Sequence, residues 1–219
     1  EGSLYETDMR LRPSGRAGPV ATSLSAFESY HQTSAWTWEH MALTRLRPIV
    51  GDPGLGAQVQ AIAERMLQRR DPVQRTTDIL DMRARLYREK APQGPWDLKM
   101  RQGGLLDLEF ITQHAILTAG TPQPLKPELV EAQAQLLATG IWPPDVYDSL
   151  ARSFELLQAL QQVQRMANDD IAGETELSMA LKERLCRASG CDRFEALEQK
   201  LEQTCAGVFE VFCRNIGVP

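Results

Sequence analysis

The sequence has no long apolar run, and its start lacks a basic segment followed by an apolar one. A helix that crosses a bilayer needs about 18 or more apolar residues, and a secretory signal needs a charged segment before its apolar stretch. We therefore expect a cytoplasmic protein with no membrane partner. Hydrophobic residues make up 42% of the chain and charged residues 24%, as in globular proteins with one core or two small ones.

Positive charge is also scarce. The 219 residues include 24 Lys and Arg against 29 Asp and Glu, which gives a formal net charge of -5. Proteins that bind nucleic acid over a broad surface carry an excess of Lys and Arg to meet the phosphates. The charge balance predicts no nucleic-acid partner and leaves room only for a local basic cleft.

Cysteine and histidine are few, and their spacing is unsuited to metal binding. The cysteines are Cys186, Cys191, Cys205 and Cys213, no CxxC pair occurs, and no histidine follows His114. Structural zinc sites use closely paired cysteines or histidines. We expect free, reduced thiols that pack as small hydrophobic side chains.

Alternating strand patterns and internal repeats are absent beyond the opening segment, and helical periodicity dominates. A capping box at Ser25–Glu28 predicts the first helix, because its hydroxyl and its carboxylate can each satisfy a free amide. Apolar stripes bounded by prolines and glycines predict further helices at 35–47, 55–70, 72–89, 105–117, 128–139, 143–168 and 175–188, and a last one capped at 192–195.

The opening stretch 4–18 is the one segment with strand-like alternation. As a strand it places Asp8, Arg10 and Arg12 on one face, just before Pro13 and two glycines that favour a tight turn. A carboxylate flanked by guanidinium groups can hold a cation beside a polyphosphate. The alternative is a solvated strand face whose opposite charges pair locally.

The segment 105–117 is apolar on nearly all sides, which predicts a helix buried on most of its surface. It nevertheless contains Asp107, Glu109, Gln113 and His114. Buried carboxylates must be paired or face a polar cleft. The preceding glycines, Gly103 and Gly104, could let an anion reach the first amides of the helix. Alternatively, the carboxylates favour the helix dipole and bond neighbouring side chains.

The helices at 55–70 and 72–89 are interpreted as scaffold, with their arginines on a solvated face. These arginines are Arg65, Arg69, Arg70, Arg83, Arg85 and Arg88. Two nearby tryptophans, Trp36 and Trp38, are expected to anchor a core.

Four spaced motifs resemble those of one enzyme family. They are Leu4-Tyr5-x-x-Asp8-x-Arg10-Leu11-Arg12-Pro13-Ser14-Gly15; Ala35-Trp36-Thr37-Trp38-Glu39-His40-x-Ala42-Leu43-x-Arg45-x-Arg47; Asp81-Met82-Arg83; and Asp97-Leu98-Lys99 with Gly103-Gly104-Leu105-x-Asp107-x-Glu109-Phe110. In this order they resemble the glutamine synthetase adenylyltransferases, most closely the C-terminal, adenylylating half of that two-headed enzyme. From about Pro122 onward the resemblance is only in helical character and length.

The resemblance implies a nucleotidyltransferase of the polymerase-beta superfamily. Such an enzyme uses Mg²⁺ and ATP to transfer AMP to a tyrosine of glutamine synthetase by an in-line displacement. By this resemblance Asp8 is similar to the third carboxylate of the metal site and helps to draw off the proton of the attacking hydroxyl. Arg10 and Arg12 would neutralise phosphate charge.

The last motif has two interpretations. In the first, Lys99 and the amides of Gly103 and Gly104 lie near the nucleotide or near the tyrosine loop of the substrate. In the second, these residues support the junction between domains. The residues alone leave both interpretations open.

The family pattern also contains a Gly-Ser motif followed by an Asp-x-Asp pair, and this sequence has no such combination. We therefore expect a mainly α fragment that is inactive alone. Residues 1–22 would be a strand and turn remnant of the α/β nucleotidyltransferase sheet, 23–120 a helical region packed on the catalytic domain, and 121–219 a C-terminal helical bundle. The expected partners are glutamine synthetase and a PII-type signalling protein. The alternative is a noncatalytic helical module that docks one of these two proteins.

Overall fold

The computed structural model describes residues 9, 11–68, 71–119, 124–167 and 177–219, and this part of the chain is mainly helical. Its helices are α1 (Leu24–Thr33), α2 (Thr37–Leu43), α3 (Pro53–Leu67), α4 (Pro72–Glu89), α5 (Leu105–Thr118), α6 (Leu129–Ala138), α7 (Pro144–Ala167), α8 (Met179–Ser189) and α9 (Phe194–Asn215). The described residues contain no strand, and the expected mainly α fold is confirmed. None of these helices combines the length and hydropathy that a bilayer crossing requires.

The predicted opening strand falls largely on residues outside the described ranges, including Asp8 and Arg10. From Leu11 onward the chain bends instead of extending, so this part of the strand prediction is wrong. The amide of Gly15 donates to the carbonyl of Arg12 at 2.8 Å and closes the predicted tight turn. Gly15 and the residue before it both have positive φ, 54° and 62°.

The start of α1 differs from the predicted capping box. Ser23, not Ser25, caps the helix, and its hydroxyl accepts from the amide of Ala26 at 3.2 Å. The carboxylate of Glu28 is therefore not needed at the helix start, and it instead accepts from Arg65 of α3 at 2.8 Å. This contact ties α1 to α3 on the surface.

Helix α5 lies at the centre of the fold, where it contacts α2, α4, α6, α7 and α9. Its apolar sequence explains this position, because a helix that is hydrophobic all round is stable only when it is covered on most sides. One cluster of buried hydrophobic side chains extends from Met41 to Ile216. Both predicted helical regions, 23–120 and 121–219, contribute to this shared core.

Two tryptophans lie outside this core, contrary to expectation. Trp36 is 69% exposed and Trp38 is 42% exposed, whereas Trp96 and Trp142 are buried. The short helix α2 instead buries a face that includes Met41. An apolar surface therefore remains open to water beside α2.

Candidate functional site

One open pocket collects residues from all four sequence motifs. It has a volume of about 790 Å³ and lies among the segment that begins at Leu11 and helices α1, α2, α4 and α5. We call it the motif pocket. The motif residues that line it are Leu11, Arg12, Trp38, Glu39, Ala42, Leu43, Arg45, Arg47, Met82, Glu109 and Phe110. Motifs that are distant in the sequence thus form one surface.

Two arginines, Arg10 and Arg12, were predicted to bind phosphate, and the structure describes Arg12. Its side chain lines the motif pocket. Its Nη1 donates to the carbonyl oxygen of Met9 at 2.7 Å. Its Nε and Nη2 donate to the carbonyl oxygen of Gly18 at 3.4 and 3.3 Å. The guanidinium therefore closes the loop that precedes α1. Its expected partners in a metal and phosphate site, Asp8 and Arg10, lie outside the described residues.

The rim of the motif pocket is basic. Arg45 and Arg47 follow the end of α2 and are exposed. The Nη1 atom of Arg45 lies 3.6 Å from Oε1 of Glu109, which connects the end of α2 to α5. Both side chains of this pair are partly open to water, so the ion pair contributes little to stability. With Arg12, the rim presents three guanidinium groups.

Two buried residues of the second motif, Glu39 and His40, form hydrogen-bonding contacts with residues of α1. One carboxylate oxygen of Glu39 accepts from the amide of Trp36 at 2.8 Å, and the other accepts from the hydroxyl of Tyr30 at 2.8 Å. Burial of the Tyr30 hydroxyl, together with its bond to Glu39, raises the pKa of Tyr30. The Nε2 atom of buried His40 contacts the carbonyl oxygen of His31 at 3.1 Å. These contacts fix α2 against α1.

Asp107 of the last motif is fully buried and paired. Its carboxylate forms an ion pair with Nε of Arg83, and Nη2 of Arg83 lies 3.3 Å from its second oxygen. The amide of Gly103 also donates to this carboxylate at 2.6 Å. A buried ion pair is tolerated when additional hydrogen bonds satisfy its oxygens. Asp107 therefore connects α5 to α4 and to the turn before α5.

The assignment of Arg83 to a solvated face was wrong, and Arg75 was also missed. Both arginines are buried on the stripe of α4 that includes Ile79. The positions 75, 79 and 83 follow the i, i+4, i+8 spacing of one helix face, which is the signal that could have found them. Arg75 donates to carbonyls at the ends of α3 and α5, including Met66 at 3.1 Å. These guanidiniums hold the helices together.

Gly103 and Gly104 lie in a packed turn and do not line the motif pocket. Gly103 has φ of 69°, and a Cβ atom at this residue would lie 1.8 Å from the carbonyl oxygen of Cys205 in α9. A Cβ at Gly104 would lie 2.6 Å from the carbonyl oxygen of Leu98. Glycine is required here because the backbones of the turn and of α9 touch.

The first amides of α5 are already engaged. Leu105 donates to the carbonyl of Leu98 at 2.9 Å, and Leu106 donates to the carbonyl of Lys99 at 3.2 Å. An anion at this helix start would have to displace those bonds. The contacts favour the structural interpretation of the motif, while a nucleotide contact by exposed Lys99 or by the two glycines stays a prediction.

Within the described ranges, no three His, Cys, Asp or Glu side chains are placed to hold a metal ion together. The expected magnesium site depends on Asp8 and stays a prediction. The four cysteines are free thiols, as predicted. Burial raises the pKa of Cys205 to about 11, so this thiol is protonated and a poor nucleophile at neutral pH.

Two family models match successive parts of the chain. Residues 1–62 match the model described as Glutamate-ammonia ligase adenylyltransferase. Residues 58–215 match the model described as GlnD PII-uridylyltransferase.

Related proteins match nearly the whole chain. Proteins named "Bifunctional glutamine synthetase adenylyltransferase/adenylyl-removing enzyme" are 43% identical in Xanthobacter autotrophicus, over 97% of this chain, and 40% identical in Brucella suis, over 99% of it. The protein of this name in Agrobacterium fabrum is 39% identical over 97% of the chain. In each case the chain spans 22% of the relative's length. Residues 58–215 place the chain in the family described as GlnD PII-uridylyltransferase, and the match of residues 1–62 together with these relatives confirms its resemblance to the glutamine synthetase adenylyltransferases.

Proposed function

We propose that the full-length protein of which this chain is a part transfers AMP from ATP to a tyrosine of glutamine synthetase. The names of the relatives support the reaction and its protein substrate. The observation that carries the proposal is the motif pocket, because residues from all four family motifs line this one surface. Residues that recur together in an enzyme and meet in space are expected to serve one site or its immediate support.

This proposal assigns one role to the carboxylate of Asp8, at the metal, and another to the guanidinium groups of Arg10 and Arg12, at the phosphates. Asp8 would hold Mg²⁺ and help to draw off the proton of the attacking tyrosine. Bound Mg²⁺ supplies charge stabilisation to the entering and leaving oxygens of an in-line displacement. Arg10 and Arg12 neutralise phosphate charge, and the backbone contacts of Arg12 hold its guanidinium at the pocket.

The 219-residue chain alone is proposed to be inactive. Its sequence contains no Asp-x-Asp pair, the source of the other two carboxylates in enzymes of this type. A single carboxylate provides too few ligands to hold a magnesium ion in the required geometry. The helices from α1 onward would serve as the body on which the catalytic part rests.

Transfer of radiolabelled AMP from ATP to purified glutamine synthetase tests the proposal. The full-length protein should label its substrate, and Asp8→Asn should reduce the rate by about a hundredfold or more, since a catalytic metal contributes several kcal/mol. Asp148→Asn is the matched control, because Asp148 is an exposed residue of α7. Full activity of Asp8→Asn, or no labelling by the unaltered protein, would refute the assignment.

A second candidate function is noncatalytic docking of glutamine synthetase or a PII-type protein. The match of residues 58–215 to a model described as a PII-uridylyltransferase favours it. Sedimentation of the 219-residue chain with each protein would test this candidate. Co-sedimentation without AMP transfer is expected if the chain is a docking module, and the absence of both complexes would exclude it.

A further inference from the structure

Two cysteines lie at the end of α8, on either side of the turn that leads to α9. The amide of Cys191 donates to the carbonyl of Cys186 at 3.0 Å. Inside this bond, the amide of Gly190 donates to the carbonyl of Arg187 at 3.4 Å, and Gly190 has φ of 68°. Two such bonds around a left-handed glycine form the Schellman motif that ends many helices. Cys186 and Cys191 therefore occupy the two ends of this motif.

The motif brings the two thiols together. Standard bond lengths and the 3.0 Å hydrogen bond limit the distance between the two Cα atoms to about 7 Å or less, the range in which a disulfide can form. Side chains at these two positions of the motif commonly touch. Burial raises the pKa of Cys186, and the thiol of Cys191 and the carboxylate of Glu195 raise it further. The two thiols are thus close enough to affect each other.

Both thiols line one open groove between α8 and the start of α9, and this groove has a volume of about 570 Å³. Each of the two cysteines is free and half-buried, so a small reagent can reach it. The charges of the groove balance, so it does not repel an anionic reagent. Three cationic and three acidic side chains line it: Lys182, Arg187, Arg193, Glu183, Asp192 and Glu195.

We propose that Cys186 and Cys191 form a reversible disulfide, which makes the end of α8 a site of oxidative modification. The oxidant is a low-molecular-weight disulfide of the glutathione type. The thiolate of one cysteine attacks this disulfide, forms a mixed disulfide and releases one small thiol. The thiolate of the other cysteine then attacks the mixed disulfide, joins the two cysteines and releases the second small thiol. The two electrons reduce the small disulfide, and the protons of the cysteines pass to the released thiols.

The junction between α8 and α9 is already packed when the thiols are reduced. Both helices contact α7 and each other. Phe194, in the first turn of α9, stacks on buried Trp96 with the ring centroids 5.4 Å apart. The disulfide therefore acts mainly on the unfolded chain, where it closes a loop of about six residues. For a chain of this size the expected rise in Tm is about 5 °C.

Equilibration of the 219-residue chain in glutathione redox buffers at neutral pH tests the proposal. The raised pKa of Cys186 lowers its thiolate fraction, so the reaction is followed until its composition is constant. Free thiols are then alkylated in denaturant, and the tryptic peptides are measured without reduction. Trypsin cleaves after Arg187, so Cys186 and Cys191 fall on separate peptides that only a disulfide can join.

Neighbouring thiols have an effective concentration of about 1 mM or more. At least half of the two peptides should therefore be joined when the ratio of squared reduced glutathione to oxidised glutathione is about 1 mM. Excess reduced glutathione should separate the peptides again. The oxidised chain should also show the rise in Tm.

The cysteines of α9 provide the internal control. Cys205 and Cys213 lie on one helix about 12 Å apart along its axis, which is too far for a disulfide, so they should not bond to each other. Two variants give the matched comparison. Cys191→Ser should abolish both the joined peptides and the rise in Tm, whereas Cys213→Ser, which removes another half-buried thiol, should keep both.

Each other outcome overturns the inference. Glutathione bound separately to Cys186 or Cys191, with no joined peptides, means that the turn does not bring the thiols together. Bonds from either cysteine to Cys205, to Cys213 or to a second copy of the chain lead to the same conclusion. Joined peptides with an unchanged or lower Tm mean that the native turn must distort to form the bond. Joined peptides that persist in excess reduced glutathione exclude a reversible modification.

Discussion

Substitution of Gly103 by alanine gives a sharp test of how the turn before α5 packs on α9. An added Cβ atom would lie 1.8 Å from the carbonyl oxygen of Cys205 and 2.5 Å from its carbonyl carbon. Real Cβ atoms do not approach other atoms within 3.0 Å, so one of the two backbones must move by more than an ångström. A backbone carbonyl of a helix cannot rotate away as a flexible side chain can.

The cost of Gly103→Ala can be estimated from its parts. The left-handed conformation, with φ of 69°, costs alanine about 1–2 kcal/mol. Overpacking adds about 1–3 kcal/mol, and a weakened bond from the Gly103 amide to Asp107 adds about 1 kcal/mol. The lower entropy of the unfolded variant offsets about 0.4–1 kcal/mol. We therefore expect a net loss of about 2–5 kcal/mol in the free energy of unfolding.

Gly140→Ala is the matched control, because Gly140 has φ of 72° and nothing within 4 Å of an added Cβ. It carries the conformational cost without the overlap, so it should lose only about 1 kcal/mol. Urea unfolding followed by circular dichroism measures both losses on the 219-residue chain. If the two variants differ by less than about 0.5 kcal/mol, the close packing of the turn on α9 is wrong.

Three further predictions concern buried ionisable groups. Asp107→Ala should cost about 3–5 kcal/mol in urea unfolding because it leaves Arg83 buried and unpaired. The double variant Arg83→Met/Asp107→Leu should cost less, and an equal or larger loss would contradict this explanation. Burial lowers the pKa of His114 to about 4, so between pH 6.5 and 4 the unfolded chain binds a proton that the folded chain does not. Stability should therefore fall by about 3 kcal/mol as the pH falls through this range, and His114→Gln should flatten that dependence; an unchanged slope would count against it. Because burial raises the pKa of Cys205 to about 11, iodoacetamide at neutral pH should modify this thiol only in denaturant, and rapid modification of the native chain would show that it is accessible.

The central helix was predictable because its signal is local. The pattern predicted a buried helix at 105–117, and the observed helix α5 comprises Leu105–Thr118. A run of apolar residues on all sides, preceded by two glycines, needs no tertiary information to be recognised. The requirement that a buried carboxylate be paired also anticipated that Asp107 has a partner.

The identity of that partner depended on packing between distant segments. Arg83 lies 24 positions before Asp107, and although its spacing from Ile79 places it on the buried face of α4, nothing local indicates that Asp107 is its partner. The role of Gly103 likewise depends on contacts with a distant segment. The sequence indicated a turn with unusual backbone freedom, but whether that freedom serves a ligand or a helix depends on α9, about a hundred residues later.

The buried ion pair and the motif pocket are connected by helix geometry. Neighbouring residues of a helix point about 100° apart, so Met82 can line the pocket while Arg83 points into the core. On α5 Asp107 and Glu109 are two positions apart and face nearly opposite sides, and Glu109 reaches the rim beside Arg45. The ion pair therefore fixes the register of α4 against α5 directly beneath the pocket. A change at Arg83 or Asp107 is expected to alter the shape of the motif pocket even where the helices still form.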